Sequence, residues 1–427
     1  MNDIEKIYGI YSKAYTVTTD SRTVTPGSVF VALKGEHFDG NDFALKVAQD
    51  GIAGCVIADR KDLPHHDRLF VVEDSLKALQ QLAALHRKTL GTPIIGITGS
   101  NGKTTTKELM SAVLAKKFNL IYTQGNLNNQ LGMPMTLLRI KPDTELAVVE
   151  MGASHPGDIQ ELTDIALPNY GIITNIGRAH LRDFGGYEGV IRAKNEMYQH
   201  IAAHNGMLFV NSDNELLMGL AGNINKVTYG TNSQANVQGR LISANPYLSL
   251  EWNGHKIDTQ LVGDYNFENA LAAICVGLYF KVDENDIVEA LQGYCPTNNR
   301  SQVVQTAKNR VVMDAYNANP TSMEHSVRNF RNICKDNNLL ILGDMRELGD
   351  ESQKEHAAIV KLLQELKFKN VYLVGEEFAQ ASKGSAFVSF ANVDELISHL
   401  AQNPVEGKDI LVKGSNSVHL NKTIDSL

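Results

Sequence analysis

Two hydrophobic rhythms alternate along this chain. Short apolar, β-branched runs read as buried strands at 28–33, 54–58, 69–72, 93–98, 146–151, 171–175, 207–211, 310–314, 339–342, 371–374 and 410–412. Between them apolar residues recur every three or four positions, the spacing of a helix with one buried face. Such stretches predict helices over 42–49, from Ser75, from Lys103, and over 322–333, 352–366 and 393–400. Strand followed by helix, repeated, is the pattern of a parallel α/β sheet. Gly51 reads as a helix C-cap, and Gly91-Thr92-Pro93 breaks the chain, placing a domain boundary near 90. Beyond Pro296 four βα repeats of short spacing predict a small doubly wound domain.

Length changes this picture only by allowing two or three domains in 427 residues. The chain is 43% hydrophobic and 21% charged, ordinary for a soluble globular protein. A net charge of -8 argues against a nucleic-acid partner. No apolar run approaches the roughly 18 residues that a membrane helix needs. Met-Asn-Asp-Ile-Glu-Lys at the start lacks the basic and apolar regions of a signal peptide. The four cysteines, Cys55, Cys275, Cys295 and Cys334, have neither metal-ligand spacing nor a disulfide pattern, so a cytoplasmic location is expected.

The chemistry is concentrated at 93–105, Pro-Ile-Ile-Gly-Ile-Thr-Gly-Ser-Asn-Gly-Lys-Thr-Thr. A strand, a glycine-broken loop and a helix starting at Lys-Thr form a phosphate cradle: loop N–H groups and the helix N-terminus face the anion. Gly99, Ser100, Asn101, Gly102 and Thr105 supply the loop and helix start, Lys103 can reach the β- and γ-phosphates, and the Thr104 hydroxyl can ligate Mg²⁺. The spacing differs from the usual phosphate loop, with Ile97 where that pattern has its first glycine. Glu150 ends an apolar strand, where a carboxylate is costly unless paired or metal-bound. His180 follows another strand and a glycine, as a metal ligand or as a structural histidine. The segment 123–130 clusters Asn126, Asn128 and Asn129 as turn formers or substrate contacts. Asn266 and Asn269 open an Ala-rich helix, either capping it or reading a purine edge. Asp20-Ser21-Arg22 offers carboxylate, hydroxyl and guanidinium as a solvated capping loop or as a ligand site. Asp314 ends a strand where, by analogy with other α/β folds, a carboxylate holds a ribose.

Taken together these stretches resemble the Mur ligase family, and more narrowly its D-alanyl-D-alanine-adding branch. The resemblance rests on Asp20-Ser21-Arg22 with Pro26-Gly27, Gly96 through Thr105, Gly125 through Asn129, Glu150-Met-Gly, Thr174 through His180, Ala193-Lys194, Asn266 and Asn269, Tyr316-Asn-Ala-Asn-Pro320, Gly343-Asp-Met-Arg-Glu-Leu-Gly349 and Lys413-Gly-Ser415. It implies an α/β chain of three domains: 1–90 for a UDP-sugar, 91–298 a central P-loop-type parallel sheet for ATP, and 299–427 a C-terminal doubly wound Rossmann-like domain. It implies an ATP-dependent amide ligase that adds D-Ala-D-Ala to UDP-N-acetylmuramoyl-tripeptide through an acyl phosphate, a cytoplasmic step of peptidoglycan precursor synthesis. A monomer is expected, with neither nucleic acid nor membrane as partner.

Carried over residue by residue, Lys103, His180 and Lys194 are catalytic. Two Mg²⁺ ions are held by Thr104, Glu150, His180 and Lys194, the last as a carbamate. Asn266 and Asn269 meet adenine, Arg300 a phosphate and Asp314 the ribose. Ser21, Arg22, Asn126, Asn128 and Asn129 contact the sugar substrate. The chain departs from the family in having Tyr265 for a histidine, Met313 for the first of two aspartates, and Asn416 for an arginine. Two readings compete: the same chemistry with diaminopimelate or glutamate as amine, and a non-catalytic nucleotide- or UDP-sugar-binding relative.

Overall fold

The computed structural model describes residues 2–427 apart from Ala179, Asn298, Asn299 and Lys335. Strands β1 (Val17–Thr18), β2 (Val29–Val31), β3 (Cys55–Ala58) and β4 (Leu69–Val71) form an all-parallel first sheet in that order. A helix, Asn41–Asp50, stops at Gly51 with φ 72°, in the left-handed region that spares glycine the Cβ clash. The helix Ser75–Leu90 starts where the Asp74 side chain accepts from Lys77 N, and ends at Gly91 with φ 67°.

This first unit is fused to the second. Arg87, buried on the helix Ser75–Leu90, donates to Ala166 O and Asn169 Oδ1. Tyr11, on a helix Asp3–Tyr11 that the hydrophobic pattern did not reveal, donates to Leu138 O at 2.6 Å. Their apolar residues share one core with Ile94, Met133, Val149 and Met197.

The central sheet contains β5 (Ile94–Thr98), β6 (Leu120–Tyr122), β7 (Leu146–Glu150), β8 (Tyr170–Ile173), β9 (Met207–Asn211), β10 (Lys226–Gly230), β11 (Val237–Ala244), β12 (Tyr247–Trp252) and β13 (His255–Val262). Their spatial order is β13-β12-β11-β10-β9-β8-β5-β7-β6. Pairing is parallel from β6 to β11 and antiparallel through β12 and β13. β5 lies between β7 and β8, with Ile97 beside Glu150 and Thr98 beside Ile173. The loop after β5 therefore opens between the two strand ends that carry Glu150 and Thr174. Ile95 and Ile97 face a core built with Leu109, Met110 and Val113 of the helix Lys103–Leu114. On the other face Gly96 lets the helix Tyr187–Ala203 approach, since a Cβ there would sit 2.9 Å from Met197 Cε. That helix carries Lys194.

The third sheet comprises β14 (Gln302–Gln305), β15 (Arg310–Asp314), β16 (Asn338–Gly343), β17 (Val371–Val374), β18 (Val388–Phe390) and β19 (Asp409–Lys413). Its order is β14-β15-β19-β16-β17-β18, parallel except for β14, with an apolar core on each face. The expected boundary at 298 and 299 falls on two residues outside those described. Fold class is as the sequence indicates: mixed α/β in three sheets, mostly parallel.

Candidate functional site

The phosphate-type loop is shaped by backbone geometry that only glycine tolerates at two points. Gly99 has φ 145°, and a Cβ there would lie 2.0 Å from Thr174 Oγ1. Gly102 has φ 77°, and a Cβ there would lie 2.7 Å from Asn269 Oδ1. The loop is tied to the end of β8. Asn101 N donates to Asn175 Oδ1 at 3.0 Å, Thr174 Oγ1 donates to Asn101 O at 2.6 Å, and Ser100 N donates to Asn175 O at 3.0 Å. Lys103 Nζ donates to Gly99 O at 2.8 Å and Ser100 O at 3.4 Å. Burial lowers the Lys103 pKa; the charge of Glu150 opposes this and that of Arg300 adds to it.

Thr104 and Glu150 meet. Both are buried, and Thr104 Oγ1 donates to Glu150 Oε2 at 2.9 Å. The other carboxylate oxygen, Oε1, accepts from Asn128 Nδ2 at 2.8 Å. A hydroxyl and a carboxylate beside the glycine-shaped loop are hard oxygen donors, the kind that Mg²⁺ selects, so these two residues fit that ion. Among the described residues no trio of His, Cys, Asp and Glu gathers into a metal-binding cluster.

His180 faces an acidic partner across the units. It sits in the left-handed region at φ 53°, and its Nδ1 lies 2.8 Å from Glu347 Oε2 of the third sheet's unit. Lys194 is buried with its Nζ 5.8 Å from the centroid of the Phe184 ring. Burial first, and the Lys103 charge second, push its amine down to about 7, while Asp158 and Glu196 oppose the shift.

The remaining candidates divide. Asn269 Oδ1 accepts from Thr106 Oγ1 at 3.0 Å, its Nδ2 donates to Asn266 Oδ1, and Asn266 Nδ2 donates to Val262 O. This pair locks the helix Asn266–Tyr279 against the helix that follows the loop. The Arg300 guanidinium stacks 3.8 Å from the centroid of Tyr316. Asp314 Oδ2 accepts from Lys413 Nζ at 2.5 Å and from Ser326 Oγ at 3.2 Å. Tyr265 bonds Ser301 Oγ at 2.6 Å.

Asn126 is exposed, and Asn129 Oδ1 accepts from Leu131 N and Gly132 N at the start of a helix, so of the three asparagines Asn128 alone reaches Glu150. Ser21 and Arg22 lie in a short turn where Asp20 accepts from Arg22; that pairing holds the Asp20 carboxyl down at about 2.

Several residues of the site have no role assigned from the sequence. Lys107 is fully buried below Glu150, with Nζ 4.0 Å from Oε2. Its signal was its place on the apolar stripe of its helix, three and seven positions before Met110 and Leu114. Asn319 Nδ2 donates to Asn101 Oδ1 at 2.7 Å, and Glu347 meets His180; both join the third sheet's unit to the central one, and no local pattern encodes such contacts.

Comparison with known proteins covers the whole arrangement. Residues 13–87 match the family model described as the catalytic domain of the Mur ligase family, 97–277 the Mur ligase middle domain, and 299–416 the Mur ligase glutamate ligase domain. UDP-N-acetylmuramoyl-tripeptide--D-alanyl-D-alanine ligase of Bacillus subtilis is 33% identical over 425 residues, covering 96% of this chain and 92% of its own. The Escherichia coli protein of the same name is 33% identical over 427 residues, covering 96% and 93%. MurF from Acinetobacter baumannii superposes with a TM-score of 0.86 at 32% identity, over 96% of this chain and 93% of that one. MurF ligase from Thermotoga maritima, solved in complex with ADP, gives 0.86 at 27% identity, over 100% and 98%.

Proposed function

This chain belongs to the Mur ligase family, and within it we propose the activity of the ligase that joins D-Ala-D-Ala to UDP-N-acetylmuramoyl-tripeptide at the expense of ATP. The observation that carries the reading is the glycine-shaped loop leading into Lys103 and Thr104, with Glu150 hydrogen-bonded to Thr104. It lies in a chain alike, over nearly its full length, to relatives bearing that name. The reaction belongs to peptidoglycan precursor synthesis and so to the maintenance of cell shape and division.

A carboxylate does not give up its oxygen to an amine unaided, because oxide is a poor leaving group. The terminal carboxylate of the tripeptide attacks the γ-phosphorus of ATP, ADP leaves, and an acyl phosphate forms. The free amine of D-Ala-D-Ala then attacks the acyl carbon, phosphate departs, and the amide remains. Lys103 and the loop N–H groups hold the phosphates in line and balance the charge on the transferred group. Thr104 and Glu150 would hold Mg²⁺, which supplies further neutralisation of phosphate charge.

Lys194 as a carbamate would turn a buried cation into an oxygen donor; its lowered pKa supports this, since only the neutral amine takes up CO₂. His180 belongs to the same set in our reading. Arg300 with Tyr316, Asp314, and Asn266 with Asn269 form the nucleotide's other contacts. Ser21, Arg22 and the segment carrying Asn126, Asn128 and Asn129 face the UDP-sugar. The units 1–90, 91–298 and 299–427 serve sugar, nucleotide and closure. We read the protein as a cytoplasmic monomer; among the described residues no helix is long and apolar enough to cross a membrane.

The test is phosphate release with ATP, Mg²⁺ and UDP-N-acetylmuramoyl-tripeptide, adding D-Ala-D-Ala, single amino acids or nothing. Release that needs D-Ala-D-Ala is expected. Release that needs a single amino acid would move the chain to another branch, and none with any pair would remove the ligase reading.

A further inference from the structure

We propose that Lys107 is a positioning residue that fixes the Glu150 carboxylate and the start of segment 124–130, so that the oxygen donors beside the phosphate loop are set before any ligand arrives. The proposal rests on the reading of Glu150 as the Mg²⁺ donor. Lys107 lies one helical turn beyond Lys103, so the two ammonium groups share a helix face but serve different ends. Lys103 bonds the loop. Lys107 is fully buried, and its Nζ meets three oxygens and a ring. It donates to Thr123 O at 2.6 Å, pairs with Glu108 Oε1 at 3.0 Å, stands 4.0 Å from Glu150 Oε2, and sits 5.7 Å from the Tyr122 ring centroid.

An ammonium is costly to bury unless acceptors replace its water. These acceptors are not scattered. Thr123, which receives the Lys107 bond through its carbonyl, also accepts from Glu150 N through Oγ1 at 3.0 Å. Lys107 thus ties the end of β6 to the end of β7, the two strand ends that flank the carboxylate. Glu150 is then held on every side: Oε2 by Thr104 and the Lys107 charge, Oε1 by Asn128, its backbone by Thr123. Asn128 belongs to the segment that leaves β6 just after Thr123. One side chain on the nucleotide-side helix therefore sets both the carboxylate and the asparagine loop.

Groups that orient a metal ligand without touching the metal characteristically cost ten-fold or more in metal affinity when removed. The experiment uses the full chain with ADP and Mn²⁺ as probe, read by electron paramagnetic resonance, for wild type, K107M, E150Q and K107M/E150Q. We expect K107M to raise the Mn²⁺ Kd by roughly ten-fold. Its half-saturating Mg²⁺ in the assay should rise in proportion, while kcat at saturating Mg²⁺ changes less. A lysine that merely fills space would lower Tm and leave Mn²⁺ affinity alone, and that result overturns the proposal. If E150Q leaves Mn²⁺ affinity unchanged, the reading of Glu150 itself fails, a distinct outcome. Should K107M not fold, the double variant decides. With Glu150 neutralised, most of the lost Tm should return, and no recovery overturns the proposal.

Discussion

At the scale of single residues, the site depends on groups whose neighbours leave no freedom. Gly99→Ala would place a methyl 2.0 Å from Thr174 Oγ1 on a backbone at φ 145°. Strain of this kind costs about 1–3 kcal/mol before the clash is counted. The variant should lose ATP binding in a calorimetric titration and melt below wild type; normal binding would remove the loop from the site. Lys194 carries the next expectation. Its amine, pushed down to about 7, has a sizeable neutral fraction near neutral pH, open to CO₂. Lys194→Ala should be nearly inactive, and formate or acetate should restore part of the rate by supplying the missing oxygens. Full activity without them would end the carbamate reading. His200, away from the loop, sets a pH dependence of stability. Burial, reinforced by His204 at 4.2 Å between ring centroids, pushes it from 6.5 down to about 4. The unfolded chain therefore takes up the proton first as pH falls. The histidine's full contribution holds above pH 6.5 and is lost between there and pH 4, a span worth on the order of 3 kcal/mol. In urea unfolding at a series of pH values, His200→Phe should flatten that fall; an unchanged slope would place the titration elsewhere.

At the scale of elements, what could be read from sequence was what is encoded locally. The loop at 99–102 was legible because strand, glycines and helix start are contiguous, and the βα repeats because each buried strand is a compact apolar run. The meander of β11 to β13 was not, because β11 and β13 alternate buried with exposed residues and no continuous apolar run marks them. Its signal was alternation, of Leu248, Leu250 and Trp252 in β12 and of Ile257, Thr259 and Leu261 in β13, with polar or exposed residues between them. The motif Tyr316 to Pro320 was legible as a motif, but its work appears only in the fold. Asn319 accepts from Ser322 N as N-cap of the helix Pro320–Ile333, and its Nδ2 donates across to Asn101. These two roles can be separated. Asn319→Ala should cost about 1 kcal/mol through the lost cap and also weaken ATP binding. Asn101→Ala removes the same bridge and leaves the cap, so it should reproduce the weaker binding with the stability of the helix intact. Equal stability losses in both variants would show that the bridge, not the cap, holds that helix.

At the scale of the whole molecule, four contacts join the third sheet's unit to the central one just beyond the C-terminal ends of β5 and β8. Asn319 bonds Asn101, Arg178 N donates to Thr321 Oγ1 at 3.2 Å, Arg178 Nη1 lies 3.2 Å from Glu355 Oε1, and His180 meets Glu347. These partners are more than 140 positions apart in sequence, which is why no reading of the chain alone could pair them. The arrangement suits an acyl phosphate, which water destroys unless the units close over it. Glu355 is the telling member. Its carboxylate is buried while the Arg178 side chain is half exposed, so the arginine reaches over from solvent to neutralise a charge that the interface has dried. Removing the arginine leaves that charge unpaired only while the units stay together. Truncating one partner of such a pair costs about 2 kcal/mol or more, and opening the interface relieves it by letting water reach Glu355. Arg178→Ala should therefore shift the molecule toward an open form, with a larger radius of gyration in small-angle scattering when ATP and UDP-N-acetylmuramoyl-tripeptide are bound. It should also release more phosphate than peptide product, because an exposed acyl phosphate hydrolyses before the amine attacks. Glu355→Gln, which removes the buried charge as well, should return both readings toward wild type in the Arg178→Ala background. A single-variant protein with unchanged scattering and one phosphate per product would mean that closure is held by the Asn319 and Glu347 contacts, and that Arg178 only covers a carboxylate already at rest.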